Sequence, residues 1–533
     1  MLKMVDGTGI IGVDMVCPLG GAVSPPQPPN YDKVEMEGMG SLTLQNSLKA
    51  PLERLELIGN STQGENPAPD NPQEIKSAGR KSKNLFDAKK AKSGWITSDG
   101  KQTLATLGSI DNVISDYIQV YPGMNYTSSA SVYQNFYDSE KNFLNHNPNA
   151  STSIVVPDNA KYMIVVVGVN RALAIQTANT LMINIGSSAL PYEQYTDKYL
   201  LDVKVTGKNL LSNKPTDWMI GKTTSWGAVP QTPVSYGTNV KNGIATINVK
   251  SSTNYSFINK NTNKLWVYRI IEQDENGLGY VNHPFYKDES LNYKKCNFST
   301  RSNTSNIVFE IKKVDGTELL SSDIESIKIM LVEGEVNEPT PYEPYAEQFM
   351  QIVLNEPLRG IGEYKDTITK DGVVRKIYPP YEINLNDLRD GGYEKTNTVM
   401  FSVKVQNKTV GYANLKPSIL CNILPDCALQ MVNIYNSDKE CIAVGVGIIL
   451  FRVNKSRLKD ISSFESTKQS FIELMADKKL IVEYVLAEPV IEPLPESVQA
   501  QLSALHSENG TTHVFVDSGE VPCGIKLTYR KEK

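Results

Sequence analysis

Part of this chain is written twice, and a repeat constrains a fold more than any composition does. Lys83 to Phe86 reads KNLF and Lys208 to Leu211 reads KNLL, each followed after a short polar stretch by a tryptophan, Trp95 and Trp218. Further on, FYDSEKNFLNHN (Phe136 to Asn147) parallels RIIEQDENGLGYVNH (Arg269 to His283), where an apolar run enters an acidic, Asn-containing turn and resumes. Late apolar runs match, LMINI at Leu181 to Ile185 and IKIMLV at Ile327 to Val332, and so do the closings LPYEQY (Leu190 to Tyr195) and TPYEPY (Thr340 to Tyr345). The openings lie 125 residues apart and the closings 150, so the second copy carries extra residues, expected in loops.

Within each copy the runs are short, β-branched or aromatic, and punctuated by turn residues: Ile118 and Val120 before PGMN, Ile154 to Val156 before PDNA, Met163 to Val167 before GVN. Turn signals about every ten residues without a long helical pattern predict a β-sandwich, and copies of this length suit a jelly roll. The expected fold class is mainly β: tandem jelly-roll β-sandwich modules with a C-terminal β-rich domain carrying two short helices. At roughly 150 residues per domain, 533 residues leave room for three to four domains. The expected division is an N-terminal attachment tail with a Pro-rich linker (1–40), a small β unit and linker (41–82), module 1 (83–200), module 2 (201–346), a β-hairpin connector (347–379) and the closing domain (380–533). Leu42 and Leu44, then Leu55 and Leu57, alternate with polar residues as half-buried strands do, and a KDG turn sits between two strand-like runs in the connector. In the closing domain Ser462 and Glu465 spell a capping box, Val498, Leu502 and Leu505 form a second helical stripe after Pro495, and residues 525–529 alternate as a last strand.

Charge narrows the partners. The 54 basic and 59 acidic residues nearly cancel, so net charge supports neither nucleic acid nor an anionic membrane as partner. Ile442 to Phe451, the longest apolar run, is half the roughly 20 residues a membrane span needs, and no membrane insertion is expected. Asp6 and Asp14 interrupt the N-terminal apolar residues, so a chain acting outside its cell is expected to leave by a route other than secretion. The six cysteines contain no C-x-x-C and are expected as buried reduced thiols, with no metal site.

Most catalytic readings fail on context. GTGIIG at Gly7 to Gly12 matches a dinucleotide fingerprint by letter, but a proline-rich stretch follows where a helix is required, so no cofactor is expected. No G-x-S-x-G elbow is present, and His146, His283, His506 and His513 read as structural or solvent-exposed. Asp138 with Glu140, and Asp274 with Glu275, lie in turns that carboxylates keep soluble, and these turns hold too few oxygens to organise calcium. The remaining chemistry is aromatic, in a chain with 26 tyrosines against 13 phenylalanines and only 4 histidines. Sugars offer C–H faces to Trp and Tyr and hydroxyls to Asn, Asp and Gln. Trp95, Tyr117, Tyr133 and Tyr137 with Gln134 and Asn135 supply those types in the first copy; Trp218, Trp226, Trp266 and Tyr268 with Asn254 supply them in the second. Two readings of these aromatics stand side by side: sandwich core or inter-domain packing, and glycan binding by Trp95, Tyr133, Tyr137, Trp218, Trp226, Trp266 and Tyr268.

The strings KNLFD, YIQVYPGMNYT, FYDSEKNFL, PDNAKYMIV and PYEQY together resemble the carbohydrate-binding-like jelly-roll modules of tail and baseplate proteins of Firmicutes phages. FIELMADKKLIVEYVLAEPVIEPLPESVQAQL and GTTHVFVDSGEVPCGIKLTY are similar to the closing domain of those minor structural proteins, and Ala50 to Gly79 resembles their leader. The resemblance implies a tail-fibre or receptor-binding component of a phage, or of a phage-tail-like bacteriocin, assembled in the bacterial cytoplasm and released by lysis. It implies no enzyme activity, contacts with other tail or baseplate proteins through residues 1–40, a host cell-surface glycan as ligand, and symmetric homo-oligomers, trimers above all. A purely structural spacer and a cell-wall polysaccharide depolymerase are the alternatives.

Overall fold

Apolar alternation near both ends of the chain serves one central sandwich, called the hub below. The computed structural model describes residues 31–46, 49–105, 112–168, 171–186, 190–220, 243–261, 266–273, 279–280, 295–313, 317–336, 341–405, 409 and 416–532. The protein is mainly β. One hub sheet has seven strands in the order Tyr31–Met39, Gly524–Glu532, Leu52–Ile58, Thr367–Thr369, Gly372–Glu382, Ile481–Glu492 and Ile419–Cys421. The facing sheet runs Ser41–Asn46, Gly510–Asp517, Tyr199–Thr206 and Glu347–Leu354. Leu42, Leu44, Val203, Ile352 and Val514 from one sheet pack on Leu55, Leu57, Ile368, Ile525 and Leu527 from the other. Each side chain that alternates inward leaves water for this core, and a fully buried leucine contributes roughly 2 kcal/mol.

The hub therefore joins segments that the sequence assigns to separate units. Leu52–Ile58 pairs with Gly524–Glu532 on one side and Thr367–Thr369 on the other, so the 41–82 unit, the 347–379 connector and part of 380–533 share a sheet. Alternation marks a half-buried strand without naming its neighbour, which is why the sequence separates them. The KDG turn does close a hairpin, Thr367 facing Val374. Gly372 takes φ +145° there, and a Cβ would lie 2.8 Å from the Glu492 carbonyl oxygen.

Three segments are inserted between hub strands. The first two are the repeated copies, one on each side of Tyr199–Thr206 in the chain, and they close in the same way. Asn84 donates from Nδ2 to the Leu181 and Glu193 carbonyls, while its Oδ1 accepts from the Phe86 and Ile183 amides. Asn209 donates to the Ile329 and Glu343 carbonyls and accepts from the Leu211 and Leu331 amides. The asparagine of K-N-L thus ties each module's opening to its P-Y-E closing, satisfying backbone groups that burial would leave unpaired. Each copy also carries a short helix before its last strand, Arg171–Asn179 and Ser321–Ser326, which the turn-dominated text does not announce. In module 1, Asn125–Tyr137 is one long strand serving both layers of the sandwich; in module 2 its counterpart is two strands, Asn254–Asn259 and Trp266–Gln273, in different sheets.

The third insertion follows Gly372–Glu382. Cys441–Gly445 and Ile448–Asn454 fold the long apolar run back on itself, with Gly447 at φ +71° in the turn. Helix Phe464–Leu474 seals this sheet through Phe471, whose ring stacks on Phe401 at 5.3 Å. Its N-cap is Ser463, accepting from the Ser466 amide at 3.1 Å, one residue beyond the capping box expected at Ser462. Helix Glu496–Ala504 lays Leu502 on the hub core. Cys427 and Cys441 are joined in a disulfide, which corrects the expectation of reduced thiols throughout; Cys296, Cys421 and Cys523 are buried and free. A bridge between Asp426 and Ile442 brings the two backbones together, a contact the 14-residue spacing does not reveal.

Each module meets the hub through a polar joint. For module 1 it is Arg80, nearly buried, donating to Asp202 Oδ2 at 2.8 Å and in a fork to Glu193 at 3.0 and 2.5 Å. Burial alone would raise the Glu193 pKa, but Arg80 and the Lys83 amide hold it below the usual carboxylate value. For module 2, Lys250 Nζ lies 2.9 Å from Glu333 Oε1 and donates to Thr43 Oγ1 at 2.7 Å, and His513 Nδ1 lies 3.1 Å from the same hydroxyl. His513 is fully buried; desolvation, with Lys250 beside it and against the pull of Glu333, pushes its pKa down to about 4. Phe515, two residues on, packs against the module 2 core.

Candidate functional site

The aromatics nominated from sequence scatter. Trp218 is 6% exposed: its indole N–H donates to the Ser212 carbonyl at 2.8 Å and its ring meets Phe309 edge-on at 6.0 Å. Tyr268 is buried against Phe257 and Phe309, and burial raises its phenol pKa. Tyr137 is buried too, its pKa pushed up to about 12 by desolvation and by Tyr117. Trp226 lies outside the described residues; Trp266 opens a strand opposite Lys313, but its side chain also lies outside them. Trp95, 44% exposed, and Tyr133, 39% exposed, reach solvent. They do not form one platform. Ile96 packs in the cluster containing Tyr137, so its neighbour Trp95 points to the opposite face, whereas Tyr133 shares the face of Tyr137. The polar residues expected at a sugar's rim are engaged internally: Asn135 donates to the Ile164 carbonyl at 3.3 Å and Gln134 to that of Ser153 at 3.2 Å.

An organised aromatic face does exist on the outer side of the module 1 sheet, where Tyr117 and Tyr137, both expected from sequence among the sugar-type aromatics, meet Tyr162, Phe143 and His146, which are not. Tyr117 meets Tyr137 at 5.1 Å and Tyr162 at 5.9 Å, both edge-to-face, Tyr137 meets Phe143 at 5.7 Å, and Phe143 stacks on His146 at 6.4 Å. Strand pairing builds this face, because Tyr137 lies opposite Tyr162 and Asn135 opposite Ile164. Gln102 donates to the Tyr117 hydroxyl at 3.0 Å. Lys141 places its ammonium 4.5 Å from the Tyr117 ring centre and 5.4 Å from that of Tyr162. The turn carrying Lys141 is held for this: the Asp138 carboxylate accepts from the Glu140 and Asn142 amides at 2.8 and 2.9 Å, and Lys141 adopts φ +65°. The Asn142 side chain, together with these backbone hydrogen bonds, holds the Asp138 pKa below the usual carboxylate value. Asp138 and Glu140 thus serve the turn. A period-two reading of Tyr133, Asn135 and Tyr137 against Tyr162, Ile164 and Val166 is the signal that would have found this face.

A second concavity, of about 360 Å³, lies in the hub, lined by Arg359, Arg375, Tyr378, Glu356, Glu488 and Glu492 among others. Its arginines are committed to structure. Arg359 donates to Glu483 at 3.0 Å and Glu356 at 2.6 Å, and Arg375 to the Pro357 carbonyl at 2.6 Å and Asp366 at 3.3 Å. Burial raises the Glu483 pKa against the opposing pull of Arg359. Among the described residues no group of three or more His, Cys, Asp or Glu is placed to hold a metal, and no helix is long and apolar enough to cross a membrane.

No family model and no curated protein matches the chain. Among solved structures it aligns with the infectious bursal disease virus VP2 subviral particle at 8% identity, over 95% of this chain and 83% of that one, with a TM-score of 0.13. The structure of the Gt strain of that virus aligns at 7% identity over 96% and 84%, with a TM-score of 0.11. Superpositions this poor carry no argument about fold or function.

Proposed function

We propose that this chain is a structural component of a phage or phage-like particle, of the tail-tip or baseplate kind, whose module 1 contacts sugars on the host surface. The observation that carries the reading is the face formed by Tyr117, Tyr162, Phe143 and His146 with Lys141 above it. Aromatic edges and faces match the C–H side of a pyranose, and the Gln102 amide adds polar contact. Lys141 occupies the ring faces, so the ligand best matched is a sugar bearing an anionic group, which draws the ammonium aside and pairs with it while the ring takes its place. The tail-protein resemblance of the repeated strings supports the same setting, with residues 1–40 attaching to other tail proteins and multivalent display adding avidity. No catalytic step, cofactor, nucleic acid or membrane insertion belongs to this reading.

Binding of the fluorescent full-length chain to host cells or purified wall glycan tests it. Tyr117→Ala with Tyr162→Ala is expected to weaken binding at least about tenfold, and Lys141→Gln to weaken it for anionic glycans alone. Trp95→Ala, on the opposite face, leaves binding unchanged. Equal binding by all variants would sink the assignment of this face. A spacer without ligand is the second reading, favoured by the burial of Tyr137, Trp218 and Tyr268 in packing; a wild-type chain that binds no host surface supports it.

A further inference from the structure

The two modules build the same frame around one buried tyrosine. Tyr126 accepts on its hydroxyl from the Tyr121 amide at 3.0 Å, and Tyr255 from the Lys250 amide at 2.9 Å. Thr127 and Ser256 donate to the carbonyls of Gly186 and Gly334, whose amides donate in turn to the Asn125 and Asn254 carbonyls. In this register Tyr121 stands where Lys250 stands and Ile185 stands where Glu333 stands. The surface they form is the module's shoulder.

The shoulders are used differently. In module 2 the Lys250–Glu333 pair closes onto the hub through Thr43 and His513, with Phe515 packed against the module core. In module 1 the same place holds Tyr121, 53% exposed, and Ile185, 47% exposed, with Met124 exposed in the turn that returns to Tyr121. Three large apolar side chains around one tyrosine are a patch, unlike singly scattered surface residues. The hub surface that receives module 2 continues beyond it. Phe515 lies opposite Lys204 and Lys204 opposite Phe349, so the three share one face. Phe515 is partly buried against module 2, whereas Phe349 is 58% exposed and Val353, on the same face of the same edge strand, is exposed as well.

We propose that the module 1 shoulder, Tyr121, Met124 and Ile185, docks on the hub face at Phe349 and Val353 of a second copy of this chain. The contact continues an interface already made inside the molecule, with one module's shoulder on this hub sheet, and replaces its ion pair by apolar side chains. Both halves are exposed within one chain, so they meet between chains. Because the two halves are different surfaces, the contact is either made twice in a reciprocal two-fold dimer or repeated head-to-tail into a ring or file. It does not depend on any sugar.

Sedimentation and light scattering of the full-length chain test it. Wild type is expected to self-associate with concentration, and Ile185→Glu and Phe349→Glu are each expected to raise the midpoint at least about tenfold. The two substitutions lie in different units, so a folding defect in one, read by its thermal melt, leaves the other as the test. Oxidising a mixture of Ile185→Cys and Phe349→Cys chains is expected to give a cross-linked heterodimer that neither forms alone. A wild type that stays monomeric to about 100 µM, where even a weak contact would register, overturns the proposal. So does unchanged association of both Glu variants, or Ile185→Cys cross-linking to itself.

Discussion

Module 1 and module 2 share a skeleton and differ in skin. The groups that coincide are those that settle buried backbone: Asn84 with Asn209, Tyr126 with Tyr255, Thr127 with Ser256. The groups that differ face outward or toward a neighbour. The tryptophans show how position in the text misleads. Both follow K-N-L after a polar stretch, yet Ser93 lies opposite Val113 in the module 1 sheet while Trp218 itself lies opposite Ala245 in module 2. Trp95 has run past that pairing and reaches solvent. A repeat therefore specifies its hydrogen-bonded frame closely, and the use made of each surface hardly at all.

That contrast can be broken at several points. Trp218→Ala should cost about 3–5 kcal/mol in denaturant unfolding, whereas Trp95→Ala should stay within about 0.5 kcal/mol. Equal costs would mean that the two tryptophans are equivalent after all. Asn84→Ala and Asn209→Ala should each cost about 3 kcal/mol, since each strands buried amides and carbonyls. Local hydrogen exchange would place the loss in the module that carries the change, and a marked inequality would undo the shared frame. Acid should separate the joints by less. His513 binds its proton near pH 4 when folded and near 6.5 when unfolded, so the unfolded state takes up more protons between those values. Stability conferred by the neutral histidine is full above pH 6.5 and falls as pH drops, by at most about 3 kcal/mol. Arg80 keeps its charge and Glu193 is held low, so the module 1 joint should outlast the module 2 joint, and His513→Phe should abolish the difference. Protection factors at Ser41–Asn46 and Gly510–Asp517, each taken against the intrinsic exchange rate at the same pH, that do not fall between pH 7 and 4.5 would refute this.

How much the sequence discloses follows from what kind of contact each element makes. The β class, the repeat, the KDG hairpin and the helices Phe464–Leu474 and Glu496–Ala504 rest on local pattern, and all are visible in the letters. The hub is not, because Leu52–Ile58 finds its neighbours in Thr367–Thr369 and Gly524–Glu532, and alternation carries no address. Tyr137 and Tyr268 qualify as sugar-binding candidates by residue type, but a tyrosine inside a strand reads the same whether its ring faces core or water. Tyr162 is hidden in the letters because its partner Tyr117 comes from far up the chain by strand pairing, and Phe143 because it meets Tyr137 only once the Asp138–Asn142 turn has closed. The Cys427–Cys441 disulfide rests on the bridge between Asp426 and Ile442, which no local pattern announces.

The place of Gly524–Glu532 between Tyr31–Met39 and Leu52–Ile58 also fixes an order of events during synthesis. The two earlier strands leave the ribosome with the strand that must lie between them still unmade. At about 5–20 residues per second, the wait is on the order of half a minute or more. The inserted modules carry their own cores and can close during that interval, so the hub is the last part of the molecule to be assembled. Until then its apolar strand edges are open to a chaperone, or to another nascent chain in the same condition.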